Sequence, residues 1–314
     1  MPCFLLSIQD SAPVGLFGFP AKGIMFSIIG ILIVLGSVIG GFLMEKGKLP
    51  VLVQPAEFLT IAGAAIGTVL VANPMHVLKG IIAGVMGVLK GGVVPKKRYI
   101  DSMKMLFELF TKARKEGMVA VESDIEEPEK SPIFSKSPDF LKDHHVTAFV
   151  CDTMRMAVTG GVKAFDVDQM MELDLEVHHH TSMAPTLALN SMADALPGLG
   201  IVAAVLGIVV TMGALGGPPA EIGHKVAAAL VGTFLGILLC YGVIGPLAAN
   251  MTKAVEAEHA YYGVLRTTLL AFIKGTAPIM AVEIGRRAIP AYVRPAFAEL
   301  EKACRDKGGA AEGA

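Results

Sequence analysis

Thr211, Thr233, Pro197 and Pro246 carry most of the chemistry in two long apolar stretches, DALPGLGIVAAVLGIVVTMGALGG (194–217) and VAAALVGTFLGILLCYGVIGPLAAN (226–250). A threonine hydroxyl can both donate to and accept from water or an ion. Thr211 lies 14 residues beyond Pro197, and Thr233 lies 13 before Pro246. As antiparallel helices, the two stretches would set both prolines at one depth and both hydroxyls roughly 20 Å away from them. Pro246, inside its helix, lacks an N–H and would free the carbonyl of Gly242. Pro197 reads as a cheap first-turn proline, three residues after a potential N-cap, Asp194. Two readings stand for each pair. The prolines are ordinary helix-end prolines or hinges, and the hydroxyls bond back to their own i−4 carbonyls or line a path.

What these stretches lack is equally informative. No Asp, Glu, His, Lys or Arg occurs within 195–216, 226–250 or 26–44. Proton carriers keep an ionisable relay inside the membrane. Glu57 is the one candidate, and it stands at the edge of its apolar segment. Either the chain conducts nothing, or a partner supplies the carboxylate. The run Asp174-Leu175-Glu176-Val177-His178-His179-His180 looks like a metal site, but adjacent histidines on a helix point about 100° apart and do not converge. It reads as solvated polar surface, with no metal or other cofactor expected. Cys3, Cys151, Cys240 and Cys304 are widely spaced, without a CxxC pair, which argues against a disulfide framework and a zinc site.

The elements that must position these groups are membrane spans. Of the 314 residues 53% are hydrophobic and 18% charged, mean hydropathy is +0.60, and the apolar residues come in blocks. Besides the two stretches above, FSIIGILIVLGSVIGGFLM (26–44) and PAEFLTIAGAAIGTVLVAN (55–73) are long enough to span. The net charge of −1 gives no basic field for nucleic acid. Residues 88–193 hold 13 Lys and Arg and residues 251–314 hold nine, against three (Lys46, Lys48, Lys225) in the two short connections. The positive-inside rule puts the long segments and both termini in the cytoplasm. MHVLKGIIAGVMGVLKGGVV (75–94), interrupted by Lys79 and Lys90, reads as a helix along the interface or packed under the bundle.

The predicted class is therefore all-α and polytopic. Four transmembrane helices carry a large helical cytoplasmic insert between the second and third, and a cytoplasmic helical tail. The divisions are 1–24, an extension that is a disordered arm or precedes the true start at Met25; 25–74, the first hairpin; 75–193, the interfacial helix and insert; 194–250, the second hairpin; and 251–314, the tail. Within the insert, 101–117 and 143–160 show helical apolar spacing and a Gly stop, and 121–138 is acidic and turn-rich. Residues 165–196 begin a long helix that runs on into the third span. Small residues four apart, Gly36/Gly40, Gly63/Gly67, Ala203/Gly207 and Gly232/Gly236, let helices approach closely, within one bundle or between subunits.

Four segments together, ALPGLGIVAAVLGIV (195–209), VGTFLGILLCYGVIGPLA (231–248), QPAEFLTIAGAAIGT (54–68) and KARKEGMVAVESDIEEP (112–128), closely resemble the MotA family of flagellar stator subunits. The resemblance runs from Met25 to about Arg305. It implies a ring of five such chains around two single-span MotB-like partners in the bacterial inner membrane, with an aspartate on each partner binding the coupling ion. It implies torque delivered to the rotor protein FliG. By position it assigns hinge roles to Pro197 and Pro246, a pathway hydroxyl to Thr233, and rotor contact to Arg114 and Glu122. Ala204 stands where sodium-type relatives carry a second hydroxyl. A hard cation wants a shell of oxygens, so Ala204 favours protons. Ala204, Thr233 and Thr211 are the expected pathway positions.

The competing readings are an ExbB/TolQ-type proton-channel subunit, a self-contained secondary transporter and a non-conducting scaffold. The first typically has three spans. The second calls for an intramembrane charge or a broken mid-span helix, neither of which the sequence displays. No enzymatic constellation is present.

Overall fold

The computed structural model describes residues 23–89, 91, 94–213 and 215–305. The expected extension over 1–24 lies outside these, apart from Gly23 and Ile24, which open the first helix. The described residues form an all-helical protein. The helices are α1 (Gly23–Met44), α2 (Leu49–Leu52), α3 (Pro55–Ala72), α4 (Met75–Leu89), α5 (Lys96–Glu116), α6 (Glu122–Glu126), α7 (Pro138–Leu141), α8 (His144–Thr159), α9 (Ala164–Met212), α10 (Pro219–Leu239), α11 (Gly245–Ile273), α12 (Pro278–Ala288) and α13 (Phe297–Arg305). A π-helical turn, Cys240–Ile244, joins α10 to α11 without a break. Four stretches are long and apolar enough to cross a membrane: Ser27–Met44, Leu49–Ala72, and parts of Ala164–Met212 and Pro219–Ile273.

Two antiparallel rods set the architecture. Helix α9 has 49 residues and the α10–α11 rod has 55, so they reach about 74 and 82 Å. Each is more than twice the thickness of a bilayer core of about 30 Å. Their apolar halves form a hairpin joined between Met212 and Pro219. Their polar halves run on into a body made with α5 to α8, α12 and α13. The single rod α9 corrects the sequence reading of Pro197. It lies 33 residues past the start of α9 rather than in a first turn, and Asp194 caps nothing. Helix already formed over 164–193 carries the chain through the proline, at the cost of one N–H and a clash with the carbonyl four residues back.

The polar body has its own core, and the segments before α9 and after α11 share it. Phe110 of α5 stacks on Phe272 of α11, with ring centroids 4.1 Å apart and planes 4° apart. Tyr261 is fully buried, hydrogen-bonded to Ser102 at 2.5 Å, and lies under the Arg98 guanidinium. Insert and tail are thus one folded unit. The sequence signals for its helices are visible locally. Asp143 accepts the Val146 N–H and opens α8, and Gly160, at φ +72°, ends it. Gly117 ends α5 at φ +95°, a conformation that glycine adopts without a Cβ clash.

Helix α4 packs at the junction of hairpin and body. Gly80 faces the Pro185 ring of α9, where a β-carbon would come within 2.5 Å of Cγ, and Gly84 faces Met251 of α11. Helix α1 stands most apart from the rest. Ile28, Ile29, Leu32 and Ile33 are exposed, and its polar tie to the rods is the hydrogen bond from Asn250 Nδ2 to Ser27 Oγ at 3.1 Å.

Candidate ion pathway

Gly200, Ala203, Ala204 and Gly207 recur at i, i+3, i+4 and i+7 on α9, and Ala229, Gly232, Thr233 and Gly236 repeat that spacing on α10. One face of each helix is therefore nearly flat, and the two faces meet. A β-carbon at Gly236 would lie 2.5 Å from the Leu196 carbonyl oxygen and 2.9 Å from Gly200 Cα. One at Gly200 would lie 2.9 Å from the Gly232 carbonyl oxygen and 3.3 Å from Thr233 Cα. One at Gly207 would lie 2.7 Å from Ala229 Cβ. Backbones this close are held by dispersion along their whole length, since no apolar driving force separates helix from lipid.

The small-residue pairs thus divide into two groups. Ala203/Gly207 and Gly232/Gly236 close the α9–α10 seam inside the chain. Among the described residues nothing lies within 4 Å of a would-be β-carbon on Gly36, Gly40, Gly63 or Gly67, so no described element covers these flat faces on α1 and α3.

The seam gathers several of the sequence-derived positions. Ala204 is 8% exposed, and its backbone nitrogen lies 3.2 Å from a β-carbon position on Gly232, the neighbour of Thr233. Thr211 is 1% exposed and donates to the carbonyl of Gly207 at 2.8 Å. That is the self-directed i−4 bond, and it satisfies the hydroxyl within its own helix. Thr233 makes no such bond among the described residues and is half-buried. Of the two hydroxyls, Thr233 is the one available to water or an ion.

Pro197 follows Leu196, whose carbonyl abuts Gly236, so it lies at the end of the seam near the polar body. Pro246 lies beyond the π turn. There the Gly245 N–H bonds the Cys240 carbonyl five residues back, and a side chain at Gly245 would press that oxygen at 2.7 Å. A widened turn just ahead of a proline relieves the clash of its ring with the i−4 carbonyl. Val34 of α1 packs on this turn, 2.9 Å from a β-carbon position on Gly242.

The sequence singles out Glu57 only as an ionisable residue at the edge of its span, and the structure places its side chain further in. Glu57 is in the first turn of α3, but its carboxylate reaches across to the seam. Oε2 is 2.9 Å from a β-carbon position on Gly232, and Oε1 is 3.2 Å from one on Gly207. Nothing in the linear order signals this, because the contact depends on how α3 leans against the hairpin.

Arg114 and Glu122 lie far from the seam, in the polar body, and the structure does not bring them to it. Both are exposed on either side of the Gly117 corner. Arg114 Nη1 donates to the Gly275 carbonyl at 3.4 Å. The corner is anchored underneath by Asp124, buried and accepting from Lys112 Nζ at 2.7 Å and Ser131 Oγ at 2.6 Å. The histidine run packs sideways instead of converging. His179 lies against His259 with ring centroids 4.5 Å apart, and His178 lies against Tyr262 at 4.7 Å. Burial pushes the His259 imidazole below the usual range, with His179 and His178 adding to the effect.

Fold and site define a class: a polytopic helical membrane protein built on a long hairpin with a small-residue seam, running into a polar helical body. Residues 28–117 match the family model described as Motility protein A N-terminal, and residues 142–262 match the MotA/TolQ/ExbB proton channel family. The chain is 39% identical to Motility protein A of Escherichia coli K12 over 281 residues, 90% of this chain and 95% of that one. It is 37% identical to the Chemotaxis protein LafT of Vibrio parahaemolyticus over 285 residues, 91% of this chain and 100% of that one. The fold is similar to a flagellar MotAB stator complex from Bacillus subtilis, with TM-score 0.66, 25% identity and coverage of 88% of this chain and 98% of that one. It is also similar to a C. jejuni MotAB structure, with TM-score 0.70, 19% identity and coverage of 85% and 96%. The chain belongs to the motility protein A family.

Proposed function

We propose that this chain conducts protons across the bacterial inner membrane with a single-span MotB-like partner and turns the flow into torque on the rotor. The observation that carries the reading is the α9–α10 seam. It is uncharged along α9 from Leu196 to Met212 and along α10 from Val226 to Leu239, yet it presents Thr233, whose hydroxyl has no partner among the described residues, beside backbones in contact. A wall of this kind offers hydrogen bonds and a low dielectric. The group that titrates then comes from the partner, as an aspartate facing the seam.

In this reading five chains surround two partner helices, and the open faces of α1 and α3 meet lipid and neighbouring chains. The polar body and both termini lie in the cytoplasm. Ala204, Thr233 and Thr211 border the path. Ala204 adds no oxygen ligand, which favours protons over sodium. Pro197 and Pro246 mark the level at which the inner half of the hairpin flexes, and the π turn at Cys240–Ile244 supports that role for Pro246. Arg114 and Glu122, exposed on a corner anchored from below, contact FliG. The match of residues 28–117 to the motility-specific N-terminal model favours a stator over an ExbB/TolQ-type subunit.

The test is functional. Expressed with its partner in a motile strain lacking its own stator, the chain restores swimming. A protonophore stops that swimming, and varying Na⁺ at constant ionic strength leaves it unchanged. Sodium-dependent swimming would reverse the ion assignment, and no swimming with correctly inserted protein would remove the stator reading.

A further inference from the structure

We infer that the Glu57 carboxylate is a proton-binding site of the chain's own, seated in the slot that Gly207 and Gly232 leave between α9 and α10. This rests on the reading that the α9–α10 seam borders the proton path. The two oxygens face different helices, Oε1 toward Gly207 on α9 and Oε2 toward Gly232 on α10. The space they occupy exists because neither position has a side chain. Oε2 is in the same layer as Ala204, one residue from Thr233. Gly207 lies five residues before the end of α9, about 7.5 Å along the helix, so the slot is on the outer side of the hairpin.

A glutamate in the first turn of a helix has an ordinary explanation, attraction to the positive end of the helix dipole. That accounts for the placement of Cα and not for a side chain laid across two neighbouring backbones. Among the described residues no hydrogen-bond donor satisfies the carboxylate. No charged side chain of α9 from Leu196 to Met212 faces it. On α10 the titratable groups are Glu221, His224 and Lys225, at least one turn beyond Ala229, and Lys225 is already paired with Glu221 at 3.2 Å. Lys48 precedes α2 on the short connection, and α3 itself has no other titratable side chain. A half-buried carboxylate with no fixed cation beside it can exchange its proton with water on one side and pass it inward on the other.

The Glu57 carboxylate takes a proton from hydronium at the outer surface and leaves water. The carboxylic acid then gives that proton, directly or through a water beside Thr233, to the ionised carboxylate of the partner, and Glu57 returns to its charged form.

The experiment uses the full chain with its partner in stator-less cells, reading tethered-cell rotation speed against external pH, membrane abundance and co-purification. Glu57→Gln keeps the shape of the side chain and cannot carry a proton. We expect normal abundance and co-purification with speed reduced at least threefold, while Glu57→Asp keeps more than half the speed. Wild-type speed for Glu57→Gln at every pH overturns the inference. If Glu57→Gln fails to reach the membrane, Glu57→Asp decides. A speed–pH profile displaced to lower pH supports the site, and an unchanged profile overturns it. Replacing the partner's spanning aspartate by asparagine separates the two levels. Rotation that survives that change removes the stator reading itself, whatever Glu57 does.

Discussion

Gly236 of α10 rests on Gly200 of α9 so closely that a β-carbon on the former would sit 2.9 Å from the α-carbon of the latter. The contact is backbone against backbone, so no rotamer change can make room. We expect Gly236→Ala to force the hairpin apart and to cost about 1–3 kcal/mol, as overpacking does. Gly40→Ala adds a methyl where, among the described residues, nothing lies within 4 Å, and alanine is the better helix former, so monomer stability does not fall. Thermal unfolding in detergent distinguishes the two, and equal melting temperatures would count against the seam as the structural core of the hairpin.

Pro246 and the π turn before it form one feature. Pro246→Leu returns an N–H to the helix and removes the ring that crowds the i−4 carbonyl. The turn then tightens toward regular α-helix and the inner half of the hairpin stiffens. We expect several-fold slower rotation with normal membrane abundance. Full torque at high load in this variant would remove the hinge role.

Arg114 and Glu122 flank a glycine corner and are exposed. Reversing either charge should impair swimming while flagella assemble and the protein inserts, because neither side chain holds the fold. Among the described residues the polar contact of Arg114 is to the Gly275 carbonyl at 3.4 Å, exposed and weak. Normal motility of the double reversal, Arg114→Glu with Glu122→Lys, would speak against rotor contact at this corner.

Glu283 titrates far from its ordinary range. Hydrogen bonds from Arg286 (2.6 and 2.8 Å) and Arg287 (3.0 Å) pull its carboxyl down from 4.5 to about 2. A folded value below the unfolded one means the charged form stabilises the native state. That contribution is complete above about pH 4.5 and is lost as pH falls toward 2. Melting temperature should therefore drop on acidification through this window. Glu283→Gln should melt lower at pH 7 and show a shallower acid limb, which circular dichroism of the purified protein measures.

Element types are legible in the linear order, because apolar run length and helical spacing are local properties. The four spans, the helix stop at Gly117 and the charge-free hairpin all follow from residues within a few positions of each other. The continuity of α9 through Pro197 was legible only in part. A proline beside an N-cap residue looks like a helix start, and only packing over 164–193 makes it an interior position. Tertiary structure alone decided which small-residue faces are filled, that segments before α9 and after α11 share one core, and where the Glu57 carboxylate lies. Those facts depend on the approach of helices distant in sequence, and distances of 2.9 and 3.2 Å between α3 and the glycines of α9 and α10 leave no trace in linear order.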